Sequence, residues 1–335
     1  MAKKVMVVGG SGNISSAVVA LLIEKGYELS IFTRGQNFIK PHPGARLVLG
    51  DRKDRENYVK TMRAVNYDYA IDMIGFNRED AEDDFAAFPG VERFVFTSSG
   101  AAYGDLLARE MPIREDFTGG RPVWDYGVNK RAAEDFLLGK FFEKAYPVTI
   151  IRPTVTYGRQ KSVVRQIGSD TAWIDRIRKG KPIVTGNPYL LRNFLYADDA
   201  AWAYAGALEH EACIGQAYNM VGLKPYDWGS YHRAMMQAVG REVEMIEIPL
   251  DTLLAMQNDE FKITDMINCN FKFNGFYSGE KIARDIPEFR ERTGLAEGLV
   301  KTISFLDEHG AIPNSDNYQW EDKAIQIQLA TRRQS

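Results

Sequence analysis

Residues 5–16 read Val5-Met6-Val7-Val8-Gly9-Gly10-Ser11-Gly12-Asn13-Ile14-Ser15-Ser16: a short apolar β-type run, a glycine turn, then the start of an apolar helical pattern that continues to Glu24. A strand this short and apolar is one covered on both faces, and a glycine turn leading from it into a helix opens a βαβ unit. Gly26 ends the helix and 28–32 resumes with β-type residues, so the two strands should lie parallel. The alternation then continues, with strands at 46–49, 69–74, 93–97 and 147–152 and helices at 58–65, 81–88 and 128–142. The predicted fold class is α/β, a doubly wound parallel sheet.

Beyond Pro153 the alternation fades. Gly180, Pro182, Gly186 and Pro188 mark loops, 171–178 is helical, and a helix at 198–208 with a strand at 216–221 returns the chain to the sheet. The expected organisation is a dinucleotide-binding domain from 1–158 and 192–222, with an interleaved, smaller substrate-binding region from 159–191 and 223–325. Residues 326–335 form a polar tail, with Arg332 and Arg333, that should fray.

Composition bounds the function. The 335 residues are 45% hydrophobic and 26% charged, which excludes collagen-like, disordered and disulfide-scaffold classes. Lys+Arg 42 against Asp+Glu 45 leaves a net charge of -3, so there is no broad cationic field for nucleic acid or anionic lipid, and a small-molecule substrate is the expected partner. Cys213 and Cys269 lie far apart without a CxxC spacing, and His42, His210, His232 and His309 form no HxH or HExxH pattern, so no metal is expected. The apolar run after Lys3 and Lys4 is shorter than the ~7–15 residues of a signal h-region, and no stretch approaches the ~18 apolar residues of a membrane span. A cytoplasmic protein is expected.

Gly9, Gly10, Ser11, Gly12, Asn13 and Ile14 stand where backbone N–H groups and a helix dipole stabilise a pyrophosphate. A tight βα connection is the plain alternative. Ser15 replaces the usual third glycine and should slightly widen the helix-to-strand packing. The second strand ends Phe32-Thr33-Arg34-Gly35, without the carboxylate that binds a ribose 2′-OH. Arg34 can bond a 2′-phosphate, which favours NADP(H) over NAD(H); otherwise it is a solvated surface arginine. In Gly50-Asp51-Arg52, Asp51 either contacts the adenine edge or caps the next helix.

For chemistry, Ser98 and Ser99 follow the fifth strand, and Tyr126 and Lys130 sit at i and i+4 on one face of the next long helix. A phenol is a poor base at neutral pH, and an adjacent ammonium should lower its pKa. With a serine holding the same substrate oxygen, Tyr126 could exchange its proton while C4 of a nicotinamide exchanges the hydride.

Five ordered pieces carry a resemblance: the glycine turn; Thr97-Ser98-Ser99-Gly100-Ala101-Ala102-Tyr103-Gly104; 126–130; Arg152-Pro153-Thr154-Val155-Thr156-Tyr157-Gly158; and Arg192-Asn193-Phe194-Leu195-Tyr196-Ala197-Asp198-Asp199. Over nearly its whole length the chain resembles the extended short-chain dehydrogenase/reductases, the NAD-dependent epimerase/dehydratases, with a Rossmann-type sheet. Phe32–Gly35 and 50–52 look more like an atypical branch that includes chloroplast stem-loop-binding proteins. The resemblance implies Ser99, rather than Ser98, with Tyr126 and Lys130 as the catalytic group, Lys130 also holding the nicotinamide ribose. It further implies Thr33, Arg34, Asp51, Arg52, Met73, Ile74, Gly75, Thr97, Ser98, Pro153, Thr154 and Val155 as cofactor contacts, and Ser99, Gly100, Tyr103 and Arg192 as substrate contacts. Arg192 matches a position that contacts the diphosphate in sugar-nucleotide enzymes, unless it bonds Asp198 or Asp199. The Val128–Phe142 helix could join a four-helix homodimer interface.

Departures narrow the reaction. Gly100 and Ala101 stand where 4,6-dehydratases carry an Asp-Glu pair, which disfavours dehydration, and the loop Thr185-Gly186-Asn187-Pro188-Tyr189-Leu190-Leu191 lacks the family's usual glycine pattern. The expectation is an NADP(H)-dependent enzyme working at a carbinol or ketone, foremost an epimerase of a sugar or sugar nucleotide. A simple NADPH-dependent reductase or dehydrogenase is the runner-up, and an inactive nucleotide-sensing or RNA-binding protein is the alternative of another class.

Overall fold

The computed structural model describes residues 2–36, 40–104, 111–118, 120–159, 163–259 and 261–332. Two compact units are present: Met1–Thr156, Leu195–Leu223 and Tyr277–Arg292 form the first, and Tyr157–Phe194, Lys224–Phe276 and Thr293–Ser335 the second.

The first unit is built on strands β1 (Lys4–Val8), β2 (Glu28–Thr33), β3 (Arg46–Leu49), β4 (Tyr69–Asp72), β5 (Arg93–Thr97), β6 (Val148–Pro153) and β7 (Ala217–Met220). Their order is β7-β6-β5-β4-β1-β2-β3, and every neighbouring pair is parallel. The uninterrupted apolar run in β1 now has its reason. Val5 and Val7 enter the core shared with α1 (Asn13–Glu24) and α5 (Ala197–Glu209), whereas Met6 and Val8 enter the opposite core with α2 (Arg55–Arg63), α3 (Arg78–Ala87) and α4 (Asp125–Lys144). A polar residue on either face would be stranded.

Chain order along the sheet reverses between β1 and β4, and the crevice outside the carboxyl ends of such a pair is where open α/β sheets take ligands. The glycine turn follows β1 and residues 73–76 follow β4, so both flank this crevice.

Residues 277–292 join the first unit, where the sequence reading put them in the second region. Ile282, Ile286 and Phe289 enter the α5 and β7 core, and Ile286 lies so close to Gly206 that a Cβ there would be 2.1 Å from its Cγ2. Helix α6 (Glu280–Asp285) is too short to show a periodic signal.

In the second unit Ile183–Thr185 pairs parallel with Met245–Glu247, and residues 191–193 pair antiparallel with 225–227. The expected fraying tail is instead a helix, Trp320–Arg332, whose Ala324 and Ile325 join the core of Val184, Ile246, Ile248 and Leu253. Arg333 lies outside the described residues. Among the described residues no helix is long and apolar enough to cross a membrane, and no group of three or more His, Cys, Asp or Glu could hold a metal ion.

Candidate active site

Gly9 adopts φ +88°, and a Cβ on it would lie 2.4 Å from Ile74 Cγ2; one on Gly10 would lie 2.8 Å from Ile31 Cγ2. Both positions therefore exclude a side chain, the first conformationally as well as sterically. Gly12 caps α1, and its N–H donates to Ser15 Oγ at 2.7 Å. Ser15 thus acts as a local cap. Gly9→Ala should cost about 1–3 kcal/mol through strain and displacement of Ile74, read as a lower midpoint in denaturant unfolding; an unchanged midpoint would contradict the close approach.

Three orphaned polar groups lie at the carboxyl ends of the strands. The Asn13 side-chain amide, Ser98 Oγ and Thr154 Oγ1 are buried without a hydrogen-bond partner in the protein. Such groups are rare unless a ligand or water meets them. Together with the start of α1 at Gly12, whose N–H groups would face a bound anion, they fit the polar perimeter of a dinucleotide.

Ser99 caps the short helix Gly100–Tyr103, with the Ala101 N–H donating to its Oγ at 3.2 Å. Tyr126 lies in the first turn of α4, half-buried, its ring edge-on to Phe76 at 5.7 Å and beside Trp124 at 5.4 Å. Lys130, 4% exposed, donates from Nζ to Gly75 O at 2.6 Å and Thr97 O at 2.7 Å, and sits 5.8 Å from the Tyr126 ring centroid.

These positions correct the expected pKa pattern. Burial pushes the Tyr126 phenol up, with the Ser99 hydroxyl pulling it back, so Lys130 does not prevail over desolvation. Burial also pushes Lys130 down to about 8, against the attraction of Asp72, Glu134 and Asp80. The ammonium is oriented by carbonyl oxygens, while burial sets the direction of the phenol's shift and its hydroxyl neighbour partly offsets it.

Other expected contacts divide. Arg34 is exposed at the end of β2, where the Gly35 N–H donates to Thr33 Oγ1. Asp51 is also exposed and accepts the Lys53 N–H, while Asp54 caps α2, so the helix-capping alternative for Asp51 does not hold. Arg52 is buried among Asp72, Asp80 and Asp84. Thr97 Oγ1 donates to Met73 Sδ at 3.2 Å and accepts from Tyr204 Oη. Pro153 is half-buried and Val155 buried.

Among the expected substrate contacts, Gly100 is buried, and Tyr103 is 2% exposed, its hydroxyl donating to Asn219 Oδ1 and accepting from Arg152 Nη1. In the second unit Arg192 is likewise 2% exposed. It donates from Nη1 to Asn270 Oδ1 and from Nη2 to the Asn270 and Phe273 carbonyls. Both side chains brace the protein itself.

Sequence reasoning missed Asp72, Asp80, Asp84, Tyr58 and the aromatic neighbours Phe76 and Trp124. One signal was available: an aspartate closing the apolar run of β4 must have a partner once buried.

Comparison with known proteins bears on the family and the fold. Residues 5–220 match the model of the NAD dependent epimerase/dehydratase family. The chain is 25% identical over 314 residues to the 2'-dehydrokanamycin reductase of Streptomyces kanamyceticus, covering 93% of this chain and 87% of that protein. It is 22% identical to the chloroplast stem-loop binding protein of 41 kDa b of Arabidopsis thaliana, covering 98% and 85%. Among solved structures, the UDP-glucose 4-epimerase of Thermotoga maritima with UDP-glucose superposes with TM-score 0.72 at 19% identity, covering 91% of this chain and 99% of that one. The dTDP-glucose 4,6-dehydratase of Bacillus anthracis with NAD gives TM-score 0.70 at 17% identity, covering 92% and 97%.

Proposed function

Because the chain belongs to the NAD dependent epimerase/dehydratase family, we propose that it moves a hydride reversibly between NADP(H) and a secondary carbinol or ketone carbon of a sugar-type substrate. The observation that carries this reading is the meeting of Tyr126, Ser99 and Lys130 at the carboxyl end of the sheet, where the Asn13, Ser98 and Thr154 side chains are left without a partner in the protein. The nicotinamide supplies and accepts the hydride when bound. The backbone N–H groups at the start of α1, after Gly12, would meet its pyrophosphate, Ser99 holds the substrate oxygen, and Tyr126 gives that oxygen a proton in reduction or takes it in oxidation. Lys130 holds the ribose and adds positive potential beside the phenol.

Epimerisation and net reduction share this step. A sugar nucleotide needs its diphosphate neutralised, yet the Arg192 fork is taken up by Asn270 and Phe273. That favours net reduction of a ketone without a nucleotide handle, in line with the similarity to the 2'-dehydrokanamycin reductase. Incubation of the purified protein with NADPH and a panel of keto-sugars tests it: stoichiometric loss of reduced cofactor supports reduction, and isomer exchange without net cofactor change supports the epimerase.

The Arg34 preference has its own test. A charge-assisted contact to a 2′-phosphate is worth about 1.5–3 kcal/mol, so Arg34→Ala should weaken NADPH binding roughly 10- to 100-fold and NADH hardly at all. Equal losses in a fluorescence titration of both cofactors would remove Arg34 from the site.

A further inference from the structure

We propose that Asp72, clamped by Arg52, is a positioning residue for the reaction: the buried cluster around Arg52 fixes the backbone of residues 74–76, and that backbone sets where Lys130 and Tyr126 stand. The inference rests on the hydride-transfer reading above and deepens it.

The cluster is dense. Arg52 Nη1 lies 3.1 Å from Asp72 Oδ2, and Nη2 lies 2.9 Å from Asp84 Oδ1 while donating to the Asp80 carbonyl at 2.7 Å. Tyr58 donates to Asp84 Oδ1 at 2.7 Å. Arg52 is 8% exposed, and Asp72 and Asp84 are fully buried. Burial pushes the Asp84 carboxyl well up; burial is also the largest influence on Asp72, but Arg52, the Asp84 carboxyl, the Ile74 N–H and Lys130 together outweigh it and leave Asp72 low. Asp72 is therefore the anion of the pair.

Its free face is turned to the chain that follows β4. Asp72 Oδ1 accepts the N–H groups of both Ile74 and Gly75, at 2.8 and 2.9 Å, and Asp80 Oδ2 accepts that of Phe76 at 2.7 Å. Three consecutive amides are thus held by carboxylates that Arg52 gathers. The fit is tight, since a Cβ on Gly75 would lie 2.2 Å from Asp72 Oδ2.

What those three residues do on their other side gives the cluster its role. The Gly75 carbonyl accepts the Lys130 Nζ, the Phe76 ring meets the edge of Tyr126 and lies 5.5 Å from Nζ, and Ile74 closes against Gly9. A cluster needed only to join α2 to α3 would have no reason to bind these amides. Asp72 also stands first among the acids that keep the Lys130 charge, ahead of Glu134 on the same helix and Asp80 on α3, while Arg52 opposes them. The Lys130 charge present at neutral pH is lost as the pH rises through about 8, and without Asp72 that loss begins lower.

The test compares wild type with Asp72→Asn. Nitrogen-15 lysine NMR follows the Lys130 ammonium, assigned by its disappearance in Lys130→Met, and NADPH fluorescence reports binding. The expected result is a Lys130 midpoint lower by about one unit, a tenfold weaker hold on the proton. With it, kcat should fall about 10²-fold at a nearly unchanged KM for NADPH, and the alkaline limb of the kcat profile should move down in step. An unchanged Lys130 midpoint together with an unchanged kcat overturns the proposal. Should Asp72→Asn fail to fold, Asp80→Asn releases the Phe76 amide, and a fall in kcat with KM for NADPH retained is the supporting result; unchanged kcat there overturns it. The two levels separate cleanly. A wild-type protein that binds NADPH but reduces no ketone sinks the hydride-transfer reading, whereas one that turns over while Asp72→Asn matches it sinks only the positioning role.

Discussion

Tyr126→Phe should lower ketone reduction by about 10²–10⁴-fold, the range expected when a positioned proton donor is removed from a transition state. The substitution deletes one oxygen. It leaves the ring against Phe76 and Trp124, the Lys130 bonds to Gly75 and Thr97, and the glycine turn, so NADPH affinity should hardly move. Stability should hardly change, because the ring keeps its packing and only one half-buried hydroxyl is lost. Ser99→Ala should give a smaller loss, since Ser99 favours the phenolate and holds the substrate oxygen but does not itself deliver the proton to that oxygen. Stopped-flow reduction with and without the substitution, beside fluorescence titration of NADPH, measures both quantities. Full turnover by Tyr126→Phe would show that another group moves the proton, and loss of NADPH binding would show that the phenol serves the cofactor instead.

How much of this was legible in the chain depends on whether a residue's partner lies nearby in sequence. The turn at 9–12 announces itself because strand, glycines and helix are contiguous, and Tyr126 with Lys130 because one helical turn joins them. Ser99 came from the resemblance rather than from spacing. The environment of Lys130 could not be read, because its partners are backbone carbonyls at 75 and 97, carried by the loop after β4 and by the end of β5. Phenol tuning failed for a related reason: side-chain spacing gives proximity but not burial, and here burial decides the direction. The Arg52 cluster collects residues from after β3, the end of β4 and α3, and only the sheet order makes them neighbours. Likewise 277–292 and 320–332 carry ordinary polar-looking sequences whose few apolar residues find cores built far upstream.

That last helix gives the largest stability effect. Glu321 is 3% exposed, and its Oε1 accepts both the Arg165 Nη1 at 2.9 Å and the Val184 N–H at 2.7 Å; Oε2 lies 3.6 Å from Arg176 Nε. Arg165 and Arg176 are each 2% exposed. Glu321→Ala leaves two buried guanidinium groups short of an anion and a strand amide short of an acceptor, which should cost the second unit about 3–5 kcal/mol, the usual penalty for breaking a buried ion pair from one side. Asp170 and Asp322 still face Arg165 and Arg176 from more exposed positions, at 3.0 and 2.7 Å, so the loss stops short of the bare desolvation of two cations. Glu321→Gln keeps the shape and one acceptor and should fall between. Denaturant unfolding followed by tryptophan fluorescence reads the change, because Trp320 stacks on Phe261 at 4.1 Å and Arg165 sits 5.2 Å over its ring. A midpoint that does not move in Glu321→Ala would mean that the helix merely rests on the second unit. A large shift makes residues 320–332 part of its core, and truncation before Trp320 should then destabilise that unit at least as much.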